Sequence, residues 1–342
     1  MTPKATVPPL DDDWAPIRVH AGAGGLQVDW CHLGSERLTA PFFDQSIEDR
    51  LRHPFALLFQ HRTSIDALVE RRRVRPGLPV RGLVFHMSRC GSTLLAQLLA
   101  ALPRHVVLSE AGPVDTVLRA HHDLPGITED QRILWLQAVV AALGQRRHPE
   151  ESAVFLKLDA WHALELPLFQ RAFPGVPWLF LYREPLEVMA SHAKHRGAHM
   201  LPGALGQDLL EASGLPTTSM DEYGARMLAR ICEAGLQSFQ QRRDAPARLV
   251  DFAQLHASAA DLLPELFDLK LTTEEREHLR EVAGRDAKNP VLPFEENREE
   301  KARGLSPEAR AQTERHLRPI YERLEAERRR SRGPRLSGAH GS

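Results

Sequence analysis

Short runs of consecutive apolar residues recur along the chain from residue 82 onward. Each run has the length of a β-strand and lacks the alternation of apolar and polar positions that marks a half-exposed strand. Such runs are typical of a parallel sheet covered on both faces. The predicted strands are GLVFHM (82–87), VVLSE (106–110), AVFLKLD (153–159), PWLFLY (177–182) and RLVDFAQL (248–255).

Helix-like stretches separate these runs. The stretch 130–147 has apolar positions at helical spacing, 185–195 opens with a proline at the first helical position, and long helices are predicted over 221–243 and 307–330. Strands that alternate with helices predict an α/β fold, a three-layer sandwich with a central, mostly parallel sheet.

The same patterns divide the chain into three parts. Residues 1–80 mix strand-like and helix-like pieces and are predicted to form an N-terminal extension or subdomain, which could close over the site, pack on the sheet or mediate a homodimer. Residues 81–330 are predicted to form the α/β domain, and 331–342 a disordered tail. Within the domain, the glycine- and proline-rich stretch 196–219 is predicted to be a loop or lid.

Composition narrows the classes of ligand. The 342 residues are 42% hydrophobic and 26% charged, which allows an ordinary globular core. The formal net charge of −1 gives no overall field that would attract nucleic acid or an anionic membrane. An anionic ligand must therefore be bound by a local cluster of positive groups.

Cysteine usage and hydropathy bear on location. Cys31, Cys90 and Cys232 are far apart in the sequence and have neither zinc-type spacing nor a disulfide framework, which indicates a reducing compartment. The N-terminus has no secretory apolar region, and the longest nearly apolar run, 134–143, is too short to span a bilayer. We therefore expect a cytoplasmic protein without a membrane span.

A P-loop-like phosphate site is predicted where the first strand turns into a helix, at 88–93. The first N–H groups of a helix lack intrahelical partners and carry the positive end of its dipole, so they bind anions. Gly91 allows a close approach of the backbone, Ser92 and Thr93 add hydroxyl donors, and Arg89 adds a cation.

Other phosphate-site chemistries fit this loop less well. A nucleotide-triphosphatase loop has Lys directly after its last glycine, whereas Ser92 follows Gly91 here, and the dinucleotide-binding glycine pattern is absent. Cys90 at a helix N-terminus suggests a phosphatase nucleophile, but the far end of that loop would need an arginine and 95–97 are Leu, Ala and Gln. We interpret Cys90 as a small residue of the phosphate cradle.

Two segments resemble the PAPS-dependent sulfotransferases (PAPS, 3′-phosphoadenosine 5′-phosphosulfate). HMSRCGSTLLAQLLA (86–100) is similar to their 5′-phosphosulfate loop. FLYREPLEVMASH (180–192) is similar to their 3′-phosphate segment, in which an arginine ends a strand and a serine follows eight residues later, as Arg183 and Ser191 do. An arginine suits this position because its planar guanidinium can bind phosphate bidentately.

The resemblance implies transfer of a sulfuryl group from PAPS to a hydroxyl or amine, with PAP (adenosine 3′,5′-bisphosphate) as the product and no metal required. It implies that Arg89 binds the phosphosulfate and stabilises the departing charge. Lys157 matches a lysine that the family often places beside the sulfuryl group; alternatively, it is a surface lysine at the edge of its strand.

The resemblance leaves two candidates for the catalytic base. The best-known cytosolic members carry a histidine two residues after that lysine, where this chain has Asp159. Other members use a glutamate shortly after the loop helix, which corresponds to Glu110 here. We place Glu110 first and Asp159 second, with capping of the next helix as the structural alternative for Glu110. His86 is expected to be a core histidine.

Later segments extend the resemblance. Residues 284–302 are similar to the loop that covers the adenine and the 3′-phosphate, with Arg285 and Lys288 as the anion contacts. His192, His195 and His199 are spaced in a way that invites a metal site, but no matching Cys or carboxylate pattern accompanies them. We expect them to form a solvated helix end.

Two other functions stay open on sequence grounds. One is a P-loop kinase acting on a nucleoside or another small molecule, and the other is a non-catalytic nucleotide-binding protein. The sequence does not identify the acceptor, which could be a carbohydrate, a phenol, a lipid hydroxyl or a peptide.

Overall fold

A computed structural model describes residues 10–22, 24–205, 218–241, 246–285 and 304–332. The N-terminal part contains a small antiparallel sheet in the order β1–β2–β3. Its elements are β1 (Trp14–Gly22), β2 (Gly25–His32), α1 (Phe43–Leu51), α2 (Pro54–Leu58), β3 (Gln60–Ser64) and α3 (Ile65–Val74).

A five-stranded parallel sheet forms the centre of the molecule, in the order β5–β6–β4–β7–β8. The chain continues from β6 across β4 to β7, so the strand order changes sides at β4. Ligands of α/β sheets bind in the crevice at the carboxyl ends of the strands at such a point. The strands are β4 (Val80–His86), β5 (His105–Ser109), β6 (Ala153–Lys157), β7 (Trp178–Tyr182) and β8 (Ala247–Asp251).

Helices cover both faces of this sheet, so the predicted three-layer α/β fold is confirmed. Helices α4, α10 and α11 pack together on one face, and α9 and α13 pack on the other. The helices are α4 (Ser92–Ala100), α5 (Gly112–Asp123), α6 (Glu129–Leu143), α7 (Leu166–Ala172), α8 (Pro185–Lys194), α9 (Met220–Gln240), α10 (Phe252–Phe267), α11 (Thr273–Ala283), α12 (Pro307–Gln312) and α13 (Arg318–Arg332), with short turns at Ala160–Glu165, Ala198–Met200 and Thr313–Leu317.

The end of the last strand differs from the sequence prediction. The strand was expected to reach residue 255, but β8 ends at Asp251 and α10 begins at Phe252. The cause is a capping box: the Asp251 carboxylate accepts a hydrogen bond from the Ala253 amide at 2.8 Å, and the Gln254 side chain accepts one from the Asp251 amide. The Asp-x-x-Gln spacing was visible in the sequence and would have predicted this helix start.

The N-terminal part packs closely against the α/β domain. β1 contacts α5 and α6, and α3 contacts α6. The Arg37 guanidinium donates hydrogen bonds to the carbonyl oxygens of Ala100, Leu102 and His105. Ser109 at the end of β5 donates to the carbonyl of Pro41 at 2.7 Å. These contacts hold the segment before α1 close to the carboxyl end of β5. Among the described residues, every helix is too short or too polar to cross a bilayer.

Candidate active site

A cavity of about 600 Å³ lies at the carboxyl ends of the parallel strands. It brings together most of the residues singled out in the sequence, although they come from separate segments. Those that line it are Arg89, Gly91, Ser92, Thr93, Glu110, Lys157, Asp159, Arg183, Ser191 and Arg285. Cys90 is not among the lining residues, and Lys288 lies outside the described residues.

The loop between β4 and α4 has an unusual backbone. Ser88, Arg89 and Gly91 have positive φ angles of 77°, 49° and 87°. A non-glycine residue in this region costs about 1–3 kcal/mol, and such strain concentrates at functional sites. Left-handed turns next to a helix N-terminus direct successive N–H groups into one concavity that binds anions. The backbone therefore supports the predicted phosphate site.

Cys90 points away from the cavity, into the core. Its side chain is buried, and Sγ donates to the Leu181 carbonyl at 3.2 Å. Burial raises the pKa of the Cys90 thiol to about 12, so the thiolate that a phosphatase mechanism requires is not formed near neutrality. Cys90 is therefore a core residue under the loop and does not line the cavity.

Gly91 packs directly against Phe252. A methyl group at this position would overlap the Phe252 ring, which is itself buried. We expect Gly91→Ala to lower the free energy of unfolding by about 1–3 kcal/mol more than Gly175→Ala, because only the first adds a steric clash. Gly175 is the matched control, since its φ of 75° is also positive but nothing lies within 4 Å of its Cβ position. Urea denaturation measures both; equal losses would mean that Phe252 moves aside.

The other half of the cavity contains an ion pair between a buried lysine and a half-buried glutamate. β6 lies between β5 and β4, and Lys157 at its end is only 2% exposed, so the interpretation as a surface lysine is wrong. Its ammonium group binds the Glu110 carboxylate and lies 4.8 Å from the centre of the Phe42 ring. The Glu110 carboxylate is also 3.5 Å from Nε2 of His86.

The two candidate bases have opposite pKa shifts. Burial raises the pKa of Glu110, but the Lys157 ammonium and His86 outweigh it and bring that pKa down to about 2. Burial raises the pKa of Asp159 to about 7, and the neighbouring Glu110 carboxylate contributes to the increase. Glu110 also has a positive φ of 52° and the more exposed side chain, 24% against 11% for Asp159. Near neutrality Glu110 is therefore a carboxylate and Asp159 is partly protonated.

His86 is buried and satisfied, as expected. Its Nδ1 accepts from the Ser88 amide at 3.0 Å, and its Nε2 donates to the Leu158 carbonyl at 2.7 Å. It also lines the cavity, which the sequence analysis did not anticipate. Its contact with the Ser88 amide links the phosphate loop to the ion pair of Lys157 and Glu110.

Asp115, Asp159 and His162 lie close enough together to resemble metal ligands. Hydrogen bonds account for the cluster: Nδ1 of His162 accepts from the Asp159 amide at 3.3 Å, and Nε2 donates to Asp115 at 2.9 Å. Asp115 also accepts from the Trp161 indole at 2.7 Å. Both imidazole nitrogens are thus occupied, and the result of the cluster is a fixed position for Trp161.

Arg183 and Ser191 line the cavity together, as their spacing predicted. Nε of Arg183 donates to the Glu187 carboxylate at 2.7 Å, and its guanidinium carbon lies 4.1 Å from the centre of the Phe252 ring. Phe252 therefore separates Gly91 of the phosphate loop from Arg183. This position of Phe252 between the two elements could not be predicted from the sequence, because an aromatic residue at the junction of a strand and a helix is common.

The expectation of a solvated histidine cluster is only partly correct. His195 is exposed, but His192 and His199 are buried. The turn Ala198–Met200 folds back over the sheet, with Met200 buried against Gly224 of α9, and this places His199 5.6 Å from the Trp161 ring centre. His199, Trp161 and Phe42 come from three distant segments and meet in the cavity. Local sequence patterns cannot predict such contacts.

Comparison with solved structures finds sulfotransferases among the similar folds. A sulfotransferase from Mycobacterium avium has a TM-score of 0.46 at 15% identity, covering 77% of this chain and 81% of that chain. One from Alicyclobacillus acidocaldarius has 0.41 at 15% identity, covering 73% and 96%. Retinol dehydratase in complex with androsterone and the inactive cofactor PAP has 0.37 at 13%, covering 75% and 85%. No protein-family model and no curated protein matches the sequence. The fold assignment rests on the strand order described above.

Proposed function

We propose that the protein is a sulfotransferase that moves a sulfuryl group from PAPS to a hydroxyl or amine acceptor and releases PAP. One observation carries the proposal: the two predicted anion-binding elements, the loop 88–93 and the pair Arg183 and Ser191, line the same cavity as the ion pair of Lys157 and Glu110. A nucleotide with phosphate groups at both its 5′ and 3′ positions needs two such elements.

The residues present fit this nucleotide. The loop amides with Arg89, Ser92 and Thr93 would hold the 5′-phosphosulfate, because they combine helix N–H groups, hydroxyl donors and a guanidinium. Arg183 and Ser191 would hold the 3′-phosphate, with Arg285 and Lys288 as further cations. Phe252 lies against both Gly91 and Arg183, so it sets the separation of the two elements.

The ion pair supplies the remaining chemistry. The acceptor oxygen forms a bond to sulfur while the bond from sulfur to the bridging phosphate oxygen breaks, and the electron pair leaves on PAP. Lys157 and Arg89 would stabilise the charge on the departing group, and Glu110 would take the acceptor proton. When Lys157 turns to the sulfuryl group, Glu110 loses its nearest cation, which raises its pKa and makes it a better base.

A small-molecule kinase is the second candidate, and two observations count against it. Ser92 stands where the kinase loop needs Lys, and Asp159, which follows the apolar strand run FLKL where a Mg²⁺ ligand would stand, has its pKa raised to about 7 by burial. A carboxyl group that is partly protonated at neutral pH binds Mg²⁺ poorly, because the cation prefers carboxylate oxygen. Only a measurement of turnover can distinguish the enzyme from a non-catalytic nucleotide-binding protein.

Calorimetric titration with PAP, AMP, ATP–Mg²⁺ and GTP–Mg²⁺ tests the proposal. We expect PAP to bind with a dissociation constant on the order of micromolar and AMP at least about tenfold more weakly, because AMP lacks the phosphate that Arg183 would contact. Formation of PAP from PAPS with an added acceptor then separates an enzyme from a binding protein. Binding of a metal-bound triphosphate without PAP binding would favour the kinase instead.

A further inference from the structure

The ring of His199 is packed against Trp161 and His192, but its polar atoms are not used by the part of the fold that the structure describes. It is 4% exposed and lines the cavity. In the part of the chain that the structure describes, neither of its ring nitrogens has a hydrogen-bond partner. A buried polar group without a partner costs about 1–3 kcal/mol. A group on a bound molecule would remove that cost.

His199 belongs to the acceptor half of the cavity. The elements assigned to the donor nucleotide follow β4, β7 and β8, whereas Lys157, Asp159 and Trp161 follow β6 on the other side of the sheet order. The His199 ring contacts Trp161, and Glu110 and His86 are both close enough to influence its titration. The imidazole therefore lines the same cavity as the proposed base and contacts Trp161 within it.

His199 is a neutral side chain at physiological pH. Burial, together with the neighbouring His86 and Arg89, lowers its pKa to about 4, although Glu110 opposes this shift. A neutral imidazole offers one donor and one acceptor. This combination matches an uncharged hydroxyl, which also offers one donor and can accept.

Aromatic and apolar side chains line the cavity together with His199, beside the ionisable groups of Glu110, Lys157 and Asp159. The aromatic and apolar residues are Phe42, Ala160, Trp161 and Ala198. The indole N–H of Trp161 is bonded to Asp115, so Trp161 offers its ring to the cavity rather than a donor. A flat aromatic skeleton can stack on the rings of Phe42 and Trp161, whereas any hydroxyl group of a carbohydrate that faces these rings would lie without a partner, which is costly.

We propose that His199 binds the acceptor hydroxyl and that the acceptor is an uncharged aromatic alcohol of the phenol or naphthol class. This inference rests on the proposed sulfotransferase function and specifies its acceptor. His199 orients the hydroxyl oxygen, and Glu110 takes its proton.

The test compares 2-naphthol, N-acetylglucosamine and a tyrosine-free serine peptide as acceptors for transfer from PAPS. We expect 2-naphthol to be sulfated and the other two not. His199→Phe keeps the size and the aromatic contact with Trp161 but removes both nitrogens, so it should raise the KM for 2-naphthol about 3- to 10-fold. His199→Gln retains a donor and an acceptor, so its KM for 2-naphthol should rise less than that of His199→Phe. The PAP dissociation constant should be unchanged in both variants.

Gly197→Ala provides a second variant that leaves the imidazole in place. A Cβ at Gly197 would lie 2.8 Å from Cε1 and 3.1 Å from Nδ1 of His199, so the ring must shift. We expect the same rise in KM with unchanged PAP binding. An unchanged KM in both His199→Phe and Gly197→Ala would overturn the role of His199.

The outcomes also separate this inference from the function on which it rests. Normal PAP binding with transfer to the sugar or the peptide, but not to 2-naphthol, overturns the acceptor class and leaves the donor site standing. Absence of PAP binding by the wild-type protein refutes the sulfotransferase proposal itself.

Discussion

Glu110→Gln is expected to lower kcat for sulfuryl transfer by about 10²- to 10⁴-fold, the usual contribution of a general base. The amide is nearly the same size as the carboxylate but cannot accept the acceptor proton. The PAP dissociation constant should change by no more than a few-fold, because the phosphate-binding residues are untouched. Steady-state kinetics and calorimetry on the same preparation measure the two quantities.

The Asp159→Asn variant is the matched control, since its carboxyl group lines the same cavity. Loss of the Asp159 carboxylate should change kcat by less than about tenfold if Glu110 is the base. The opposite pattern, a large loss in Asp159→Asn and a small one in Glu110→Gln, would identify Asp159 as the base. Thermal unfolding of each variant checks that the fold persists.

The pH profile gives independent evidence, because a base works only when deprotonated and activity is lost as the pH falls through its pKa. With Glu110 at a pKa of about 2, kcat/KM of the free enzyme has no acid limb between neutrality and pH 4 or so. With Asp159 at a pKa of about 7, kcat/KM would already decline as the pH falls below neutrality. An acid limb near neutrality that disappears in Asp159→Asn would contradict the assignment of Glu110.

Arg183→Ala should weaken PAP binding about 10- to 100-fold and leave AMP binding nearly unchanged. The guanidinium is held by the Glu187 carboxylate and the Phe252 ring, so it is already oriented before the nucleotide binds. A charge-assisted hydrogen bond to the 3′-phosphate is lost in the variant, and AMP has no phosphate at that position. Calorimetric titration of both nucleotides gives the difference directly.

Two further variants serve as controls for this experiment. Arg171→Ala removes an exposed guanidinium that pairs with Glu129 and Asp130, so it should alter neither affinity. In Arg183→Ala alone, the Glu187 carboxylate is left without its guanidinium partner and could repel a phosphate. The double variant Arg183→Ala/Glu187→Gln removes that charge. If PAP still binds weakly in the double variant, the charge of Glu187 is not the cause. Equal weakening of PAP and AMP in Arg183→Ala would mean that Arg183 supports the cavity rather than the 3′-phosphate.

The local sequence was enough to predict the elements and to identify the two candidate anion-binding segments. Continuous apolar runs predicted the parallel strands, because strands covered on both faces need no polar alternation. The loop 88–93 and the pair Arg183 and Ser191 were found because each depends on residues a few positions apart. The largest error in a strand boundary, at 251–255, arises from a capping box that is equally local.

Only the tertiary structure decided which side chains surround the cavity. Lys157 is buried because β6 lies inside the sheet, and strand order depends on contacts between segments far apart in the chain. His199 was expected in solvent and is buried beside Trp161, and Phe42 reaches the site from the N-terminal part. Their burial also sets the pKa values that distinguish Glu110 from Asp159, since desolvation and charge pairing depend on neighbours in space. The sequence alone therefore identified the candidate anion-binding residues, and the packing of distant segments decided the surroundings of the acceptor.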